Sequence, residues 1–283
     1  MKKPSLSGPW VRLISYPDHH LNDFCLFQDK EGLWHALGIM GEGTWESEQS
    51  FFHATGHHLL APFQRQPPVL MVRPTGNVSP QKHAPFVVYY KNHYYLFYRR
   101  PPGTILRTVS KTPWSWPEPG EVVFEEVDAR DVCITQPMDM FFLYYCQAVI
   151  VARKSHSGIL LRRSTNLIDW SEPSVVHLDT AEVASHSYLE SPSVLAGPDG
   201  YYLFVRHRLL DRQPATVVLF SEKPDSFPCG RQAWFHLLPD VHAPETVTWQ
   251  GKHFLARVSG PVHANPRAPA RGGWVEIAPL SFL

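Results

Sequence analysis

The chain has 283 residues, enough for two average domains or for one large all-β domain. Lysine and arginine together number 26, as do aspartate and glutamate, so the formal net charge at pH 7 is zero. The chain thus lacks the basic surplus typical of proteins that bind nucleic acid or an anionic membrane, and we expect neither as a partner. Aromatic residues reach 13% and charged residues only 18%, with 27 prolines, a balance typical of a compact, turn-rich β protein.

The N-terminus is basic but carries no targeting pattern. Lys2 and Lys3 are not followed by an apolar stretch, because Pro9, Arg12 and Pro17 interrupt every run. No apolar run in the chain reaches the length that spans a bilayer. The four cysteines match neither a zinc spacing nor a dense disulfide framework. We therefore expect a cytoplasmic protein with reduced cysteines.

Short apolar strands recur along the chain, each starting at an aspartate or a proline. These five anchor residues are Asp23, Pro85, Asp131, Pro192 and Pro244. Six to eight residues after each anchor, a turn signal opens a second strand that is rich in aromatic and β-branched residues. The predicted second strands cover residues 33–37, 94–98, 141–145, 201–205 and 253–257. The same pattern therefore occurs five times.

A third strand follows in most of the repeats, at residues 51–55, 105–108, 159–163 and 217–220. The anchors are 62, 46, 61 and 52 residues apart, which leaves room for about four antiparallel strands in each repeat. This pattern predicts an all-β fold, a five-bladed β-propeller, because a β-sandwich would not need the register to recur five times. We expect residues 1–283 to form a single propeller domain, with residues 10–14 closing the ring against the last blade.

Polar residues recur at the start of the first strands. In a propeller these strands line the central channel, so residues at equal register in different blades meet around one axis. Asp23 and Asp131 occupy the anchor position, whereas His83, Glu190 and His242 lie two residues before their anchors. Because strand side chains alternate with a period of two, all five are predicted to face one mouth of the channel.

Each of these residues has an ordinary structural explanation when it is seen alone, since aspartate and histidine are common in turns. Gathered carboxylates repel each other, however, and proteins normally tolerate this where one must be protonated and another ionised. Hydrolysis of a glycosidic bond needs that division between an acid and a nucleophile or base. Glu245 lies close to this group in register, but its side chain is predicted to point to the opposite face of the strand.

Arg99 and Arg206 occur at equal register in their blades. They either contact a substrate or form salt bridges between blades, and both interpretations stay open.

Three short motifs resemble the signatures of the five-bladed glycosidases, glycoside hydrolase families 32, 68 and 43. The motifs are Asn22-Asp23 in the first blade, Arg130-Asp131 in the third and Glu190-Ser191-Pro192 in the fourth. Their order and register are the specific part of the resemblance, which covers roughly residues 18–280. The resemblance is closest to family 32, although Phe24 follows Asp23 where that family has Pro-Asn-Gly, and Ser191 replaces a cysteine. We expect the C-terminal β-sandwich of family 32 to be missing.

The resemblance implies that Asp23, Asp131 and Glu190 are the catalytic residues. In the family 32 pattern Asp23 is the nucleophile of a retaining reaction, Asp131 stabilises the transition state, and Glu190 is the acid/base. In the family 43 pattern the reaction inverts, with Asp23 as general base, Asp131 as modulator of pKa and Glu190 as general acid. The motifs favour retention but leave inversion open. We expect the two aspartates to stay ionised and to raise the pKa of Glu190, so that it is protonated near neutral pH.

The prediction is thus a glycoside hydrolase that cleaves a furanoside of the fructoside or arabinofuranoside type. Six further residues are expected to bind the small carbohydrate substrate: Asn22, Arg130, His83, His242, Arg206 and Glu245. A non-catalytic sugar-binding propeller is the alternative, although it would not need to keep an acid and a base together, and a transglycosylase would share the same residues. We expect no cofactor and no metal-ligand set, while a structural cation beside the channel histidines and the oligomeric state stay open.

Overall fold

A computed structural model describes residues 1–42, 47–70, 81–183, 187–208, 215–261 and 272–283 of the chain. Within these ranges the backbone forms five antiparallel sheets that follow one another along the sequence. The N-terminal strands are β1 (Pro4–Leu6) and β2 (Val11–Tyr16). Blade 1 consists of β3 (His20–Gln28), β4 (Trp34–Gly41), β5 (Ser50–Gly56) and β6 (Gln64–Val69). Blade 2 consists of β7 (His83–Tyr90), β8 (His93–Arg100), β9 (Thr104–Ser110) and β10 (Glu121–Glu125).

The remaining three sheets repeat this plan. Blade 3 consists of β11 (Arg130–Thr135), β12 (Phe141–Val151), β13 (Lys154–Ser164) and β14 (Ser174–Glu182). Blade 4 consists of β15 (Leu189–Ala196), β16 (Tyr201–His207), β17 (Ala215–Ser221) and β18 (His236–Pro239), with a short 3₁₀ turn at Arg231–Ala233. Blade 5 begins with β19 (His242–Trp249), β20 (Lys252–Ser259) and β21 (Gly273–Phe282).

The N-terminus completes the last blade. Strand β21 pairs with β1 along one half and with β2 along the other, as the pairs Ser5–Ser281 and Ser15–Trp274 show. The first strands of neighbouring blades, β3, β7, β11, β15 and β19, contact one another in a closed ring. The predicted five-bladed β-propeller is therefore confirmed, and so is the expectation that the N-terminal segment closes it.

Aromatic second strands supply the packing between blades. One hydrophobic cluster lies at each of the five interfaces between neighbouring blades. Tyr144 and Tyr202 are fully buried there, and their hydroxyls donate to the carbonyls of Pro224 and Lys2, both at 2.8 Å. Burying a large apolar side chain contributes roughly 1.5–3 kcal/mol. The paired hydroxyls avoid the penalty of an unsatisfied buried polar group.

Each first strand carries a β-bulge at the channel mouth. The pairing with the second strand skips the two residues after Leu21, His83, Arg130, Glu190 and His242. In blades 2 to 5 the first of these two residues has a positive φ: Ala84 (48°), Asp131 (58°), Ser191 (49°) and Ala243 (48°). Backbone in this region is uncommon outside glycine, so the same local distortion recurs in four blades.

The bulge corrects the predicted register at one position. His83, Glu190 and His242 do share a register, because each is the last paired residue before its bulge. Asp131 is the first residue of its bulge, which makes it equivalent to Ser191 and not to Pro192. Strict alternation with a period of two fails here because a bulge adds an unpaired residue and re-aims the side chains beside it.

Candidate active site

A pocket of about 300 Å³, including the part open to solvent, lies where the five bulges meet. Every blade contributes its first strand to the walls. The lining includes Asp23, Pro85, Asp131, Ser191, Pro244 and Glu245. The propeller thus brings residues up to about 220 positions apart in sequence into one concave site at the channel mouth.

Ser191 joins two of the predicted catalytic carboxyl groups. Its hydroxyl donates to Oδ1 of Asp23 at 2.6 Å, and its backbone N–H donates to Oδ2 of Asp131 at 3.1 Å. The positive φ of Ser191 is part of the bulge that turns both donors into the pocket. Glu190 is the next residue in the chain. Ser191 therefore joins carboxyl groups of blades 1 and 3, directly beside Glu190 of blade 4 in the chain.

Glu190 is surrounded by three guanidinium groups. Its carboxylate lies 3.3 Å from Nη1 of Arg208, 3.4 Å from Nε of Arg206 and 3.8 Å from Nη2 of Arg130. Arg206 is its direct partner across strands β15 and β16. Arg206 thus forms a salt bridge, but within blade 4 and not between blades as one of the two sequence interpretations had it.

Arg130 links the third and fourth blades. It contacts Asp131 through Nε at 3.5 Å and donates through Nη1 to Asp128 at 2.7 Å. Its Nη2 donates to the carbonyls of Ser187 and Leu189, just before Glu190. Burial lowers the pKa of Arg130, but Asp131 and the other acids outweigh it, so the guanidinium stays charged. Arg130 therefore acts as a fixed cation between two carboxyl groups.

Asp23 has a different environment from Glu190. Burial raises the pKa of Asp23 well above its usual value, Asp131 raises it further, and the Ser191 hydroxyl only partly opposes them. Burial also raises the pKa of Glu190, while Arg130 and Arg208 lower it. The raised pKa of Glu190 agrees in direction with the sequence prediction. The expectation that Asp23 stays readily ionised does not agree, because Asp23 is buried and the charged groups that influence it most, Asp131, Glu190 and Glu48, are all acidic.

Glu245 is a fourth carboxyl group of the pocket. It is 7% exposed and directly follows the bulge of blade 5, opposite Ala256. Burial raises its pKa to about 8, opposed by a hydrogen bond from the backbone N–H of Leu26. A carboxylic acid that stays neutral near pH 7 can donate a hydrogen bond, as an ionised one cannot.

The two channel histidines have separate partners. His242 lies with Nε2 3.0 Å from Oδ1 of Asn22, which joins blade 5 to blade 1. His83 lies with Nε2 3.0 Å from Glu48 and accepts from Nη1 of Arg99 through Nδ1 at 3.2 Å. The sequence placed both histidines at the mouth, but it carried no indication of their partners.

Three neighbours of the carboxyl groups were missed by the sequence analysis. Glu48 lies in the β4–β5 loop, Arg208 follows the end of β16, and Ser191 attracted attention only as a departure from a motif. Glu48 and Arg208 lie outside the repeated pattern of first strands, whereas Ser191 lies inside it, between Glu190 and the anchor Pro192. Ser191 could have been singled out by its position in the repeat. It directly follows Glu190 as Asp131 directly follows Arg130, so the two residues are equivalent.

Across the described ranges, no group of three or more histidine, cysteine, aspartate or glutamate side chains is arranged to hold a metal ion. No helix in this part of the chain has the length and apolarity that crossing a bilayer requires. All three buried cysteines, Cys25, Cys133 and Cys146, carry free thiols whose pKa is raised, chiefly by burial.

No family model matches the sequence, and no curated protein matches it. Solved structures do match. A family 32 β-fructofuranosidase of Bombyx mori is 15% identical with a TM-score of 0.70; the match covers 94% of this chain and 61% of that chain, so this chain spans about three fifths of its length. A family 43 enzyme of Xanthomonas citri, solved with xylotriose, is 15% identical with a TM-score of 0.67, covering 96% and 89%.

An exo-1,5-α-L-arabinanase from a bovine ruminal metagenomic library is 13% identical with a TM-score of 0.63, covering 92% of this chain and 93% of that one. At identities this low the likeness shows the fold and nothing finer. The chain therefore has the five-bladed propeller architecture found in glycoside hydrolases of families 32 and 43.

Proposed function

We propose that this protein is a glycoside hydrolase that cleaves furanosides and that Asp23, Asp131 and Glu190 are its catalytic carboxyl groups. The observation that carries the proposal is the arrangement around Ser191, which bonds to Asp23 and Asp131 while its chain neighbour is Glu190. Clustered buried acids destabilise a folded protein, and this cost is normally tolerated where the acids serve a purpose such as proton transfer. A module that only binds sugar has no need for this cluster.

The proposed roles follow from chemistry and environment. Asp23 attacks the anomeric carbon or activates water, and Glu190 protonates the leaving oxygen. Asp131 holds sugar hydroxyls and orients Arg130, which it contacts at 3.5 Å. Asn22, His242, Arg206 and Glu245 complete the pocket around the sugar. No cofactor is needed for this chemistry, which we assign to a single propeller domain of residues 1–283.

Furanosides are favoured as substrates for two reasons. The motifs resemble families that act on furanosides, and two of the similar structures are named as enzymes that cleave them. One is the β-fructofuranosidase of Bombyx mori, a mutant of which was solved in complex with sucrose, and another is an exo-1,5-α-L-arabinanase. Two other similar structures are named a β-xylosidase and a β-xylosidase/α-arabinofuranosidase, so xylosides are the competing substrate class.

The test is a screen for hydrolysis of sucrose, aryl fructofuranosides, aryl arabinofuranosides and aryl xylosides. Proton NMR of the first-formed anomer decides between retention, which the motifs favour, and inversion. We expect turnover of at least one furanoside and its loss in the Asp23→Asn variant. Binding without turnover would instead favour the sugar-binding propeller, and formation of new glycosides at the expense of hydrolysis would favour the transglycosylase.

A further inference from the structure

Glu48 lies outside the three carboxyl groups of the proposed mechanism, yet it is almost completely buried. Its exposed fraction is 2%, and its two oxygens lie 3.0 Å from Nε2 of His20 and 3.0 Å from Nε2 of His83. Burial raises the pKa of Glu48, but its interactions with both histidines outweigh burial and lower the pKa overall. Glu48 is therefore a fixed carboxylate that accepts from His20 of blade 1 and lies against Nε2 of His83 in blade 2.

The Glu48 carboxylate determines which nitrogen of His83 carries the proton. The Nε2 atom of His83 lies 3.0 Å from this carboxylate, and an N–H at that position is favoured over a lone pair that faces the negative charge. The other ring nitrogen, Nδ1, is then free of a proton and can accept a hydrogen bond. The donor present at Nδ1 is Nη1 of Arg99, at 3.2 Å. In the opposite tautomer two N–H groups would face each other at this contact.

Arg99 is the end of this chain of contacts that lies near the carboxyl groups of Asp131 and Asp23, both of which raise its pKa. It pairs directly with His83 across β7 and β8, and its Nη2 donates to the carbonyl of Pro102 at 2.6 Å. Burial lowers the pKa of Arg99, while Asp131 is the largest influence that opposes it. Among the described residues its buried Nε has no hydrogen-bond partner. A buried guanidinium nitrogen without an acceptor fits a ligand that brings one.

We propose that Glu48 is a positioning residue: through His83 it holds Arg99 in the orientation that lets the guanidinium donate to an oxygen of the bound substrate beside Asp131. The relay runs from the Glu48 carboxylate through both nitrogens of His83 to Nη1 of Arg99, so each contact depends on the one before. The kinetic part of this inference rests on the proposed glycosidase function, whereas the tautomer of His83 does not.

The tautomer is tested by long-range ¹⁵N–¹H NMR of the histidine rings, with His83 assigned from its disappearance in the His83→Asn variant. We expect wild-type His83 to be neutral with its proton on Nε2, and the Nη protons of Arg99 to exchange slowly with water. In Glu48→Ala we expect His83 to populate both tautomers and Arg99 exchange to accelerate on the order of tenfold. Glu118→Gln is the matched control, because Glu118 is a nearby acid that pairs with Lys82, the neighbour of His83, and does not contact the relay.

The kinetic test is a double-mutant cycle on a substrate that the wild type cleaves. Glu48→Ala and Arg99→Met should each raise KM on the order of tenfold with little change in kcat, and the double variant should be no worse than Arg99→Met alone. Additive effects, or a loss of kcat without a change in KM, would overturn the relay. So would a wild-type His83 with its proton on Nδ1. If the wild type cleaves no substrate, the proposed function fails, while the NMR measurements still decide the relay.

Discussion

Asp23 lines the pocket and Glu190 directly precedes Ser191 of its wall, yet the two carboxyl groups have opposite electrostatic surroundings. Asp23 has acidic neighbours and a single neutral donor, the Ser191 hydroxyl at 2.6 Å. Glu190 has three guanidinium groups within 3.8 Å. Burial raises the pKa of both carboxyl groups, so burial does not separate their roles. The arginines contributed by blades 3 and 4 make the difference, since they favour the ionised form of Glu190 alone.

This asymmetry means that a bound substrate must change the protonation of the two carboxyl groups. For Glu190 to give a proton and Asp23 to act as nucleophile or base, Glu190 must be protonated and Asp23 ionised when the sugar is bound. A sugar hydroxyl that donates to Asp23 favours the ionised form of that carboxyl group. A sugar oxygen that accepts from Arg208 or Arg206 weakens their hold on Glu190. We therefore expect substrate binding itself to redistribute the proton between the two sides of the pocket.

The largest effect is expected for Asp23→Asn. An amide neither attacks the anomeric carbon nor accepts a proton from water, so turnover should fall by roughly 10³–10⁵-fold for every substrate. The measurement is kcat/KM on aryl and natural furanosides. Asp139→Asn, the same chemical change in an exposed turn, serves as control and should leave kcat/KM unaltered. Substantial activity in Asp23→Asn would refute the role of Asp23 as nucleophile or base.

Glu190→Gln should discriminate between substrates. Natural furanosides, whose leaving groups need protonation, should lose about 10²–10⁴-fold in kcat, because the general acid is gone. Aryl glycosides depart without much protonation and should lose far less. The ratio of kcat for the two classes is the measurement. Equal losses would contradict the assignment of Glu190 as acid and would favour a purely structural role for its three arginine contacts.

Glu245, like Asp23, is a buried carboxyl group, but the hydrogen-bond donor to Glu245 is a backbone N–H and not a side-chain hydroxyl. Its pKa is about 8, whereas an unfolded glutamate ionises near 4.5. As pH rises between these values the unfolded chain releases a proton that the folded protein keeps, so the free energy of unfolding falls. Each unit of pKa difference corresponds to about 1.4 kcal/mol.

Glu245→Gln should remove this pH dependence. At pH 8.5 the free energy of unfolding of the variant should exceed that of the wild type by roughly a few kcal/mol. At pH 4 the two proteins should be nearly equal. Denaturant unfolding at both values of pH provides the measurement, with the exposed Glu222→Gln as control. A variant less stable than the wild type at pH 8.5 would mean that Glu245 is ionised and paired in the folded protein.

The repeat of first and second strands was readable from sequence because alternation and turn signals are local properties. It predicted five blades, their order and the closure by the N-terminus. The bulges were not predicted, since they depend on how each first strand meets its neighbours, and so Asp131 was placed one position away from its true equivalents. The contacts of Glu48 and Arg208 depend on loops whose course only the folded chain defines.

A smaller effect is expected for Ser191→Ala. The Ser191 hydroxyl is the neutral donor that lowers the pKa of Asp23, so its loss should raise that pKa further. Because Asp23 must be ionised to act, the acid limb of the kcat/KM profile should move to higher pH. Ser193→Ala is the matched control, since Ser193 bonds to Thr246 and to no carboxyl group of the pocket. An acid limb that stays in place would show that Ser191 does not tune Asp23.

The smallest effect is expected on the other side of the pocket, for Arg208→Ala. Arg208 lies 3.3 Å from Glu190 and lowers its pKa, but its side chain is 45% exposed, so solvent screens much of the interaction. Removing it should raise the pKa of Glu190 only slightly, because solvent already weakens the interaction. Because the acid works only when protonated, the alkaline limb of kcat/KM should move to higher pH while the acid limb set by Asp23 stays fixed. Arg163→Ala, which removes a comparable half-exposed arginine paired with Asp225, should move neither limb. Movement of the acid limb instead, or a shift of the alkaline limb to lower pH, would mean that the arginines do not act on Glu190 as its surroundings indicate.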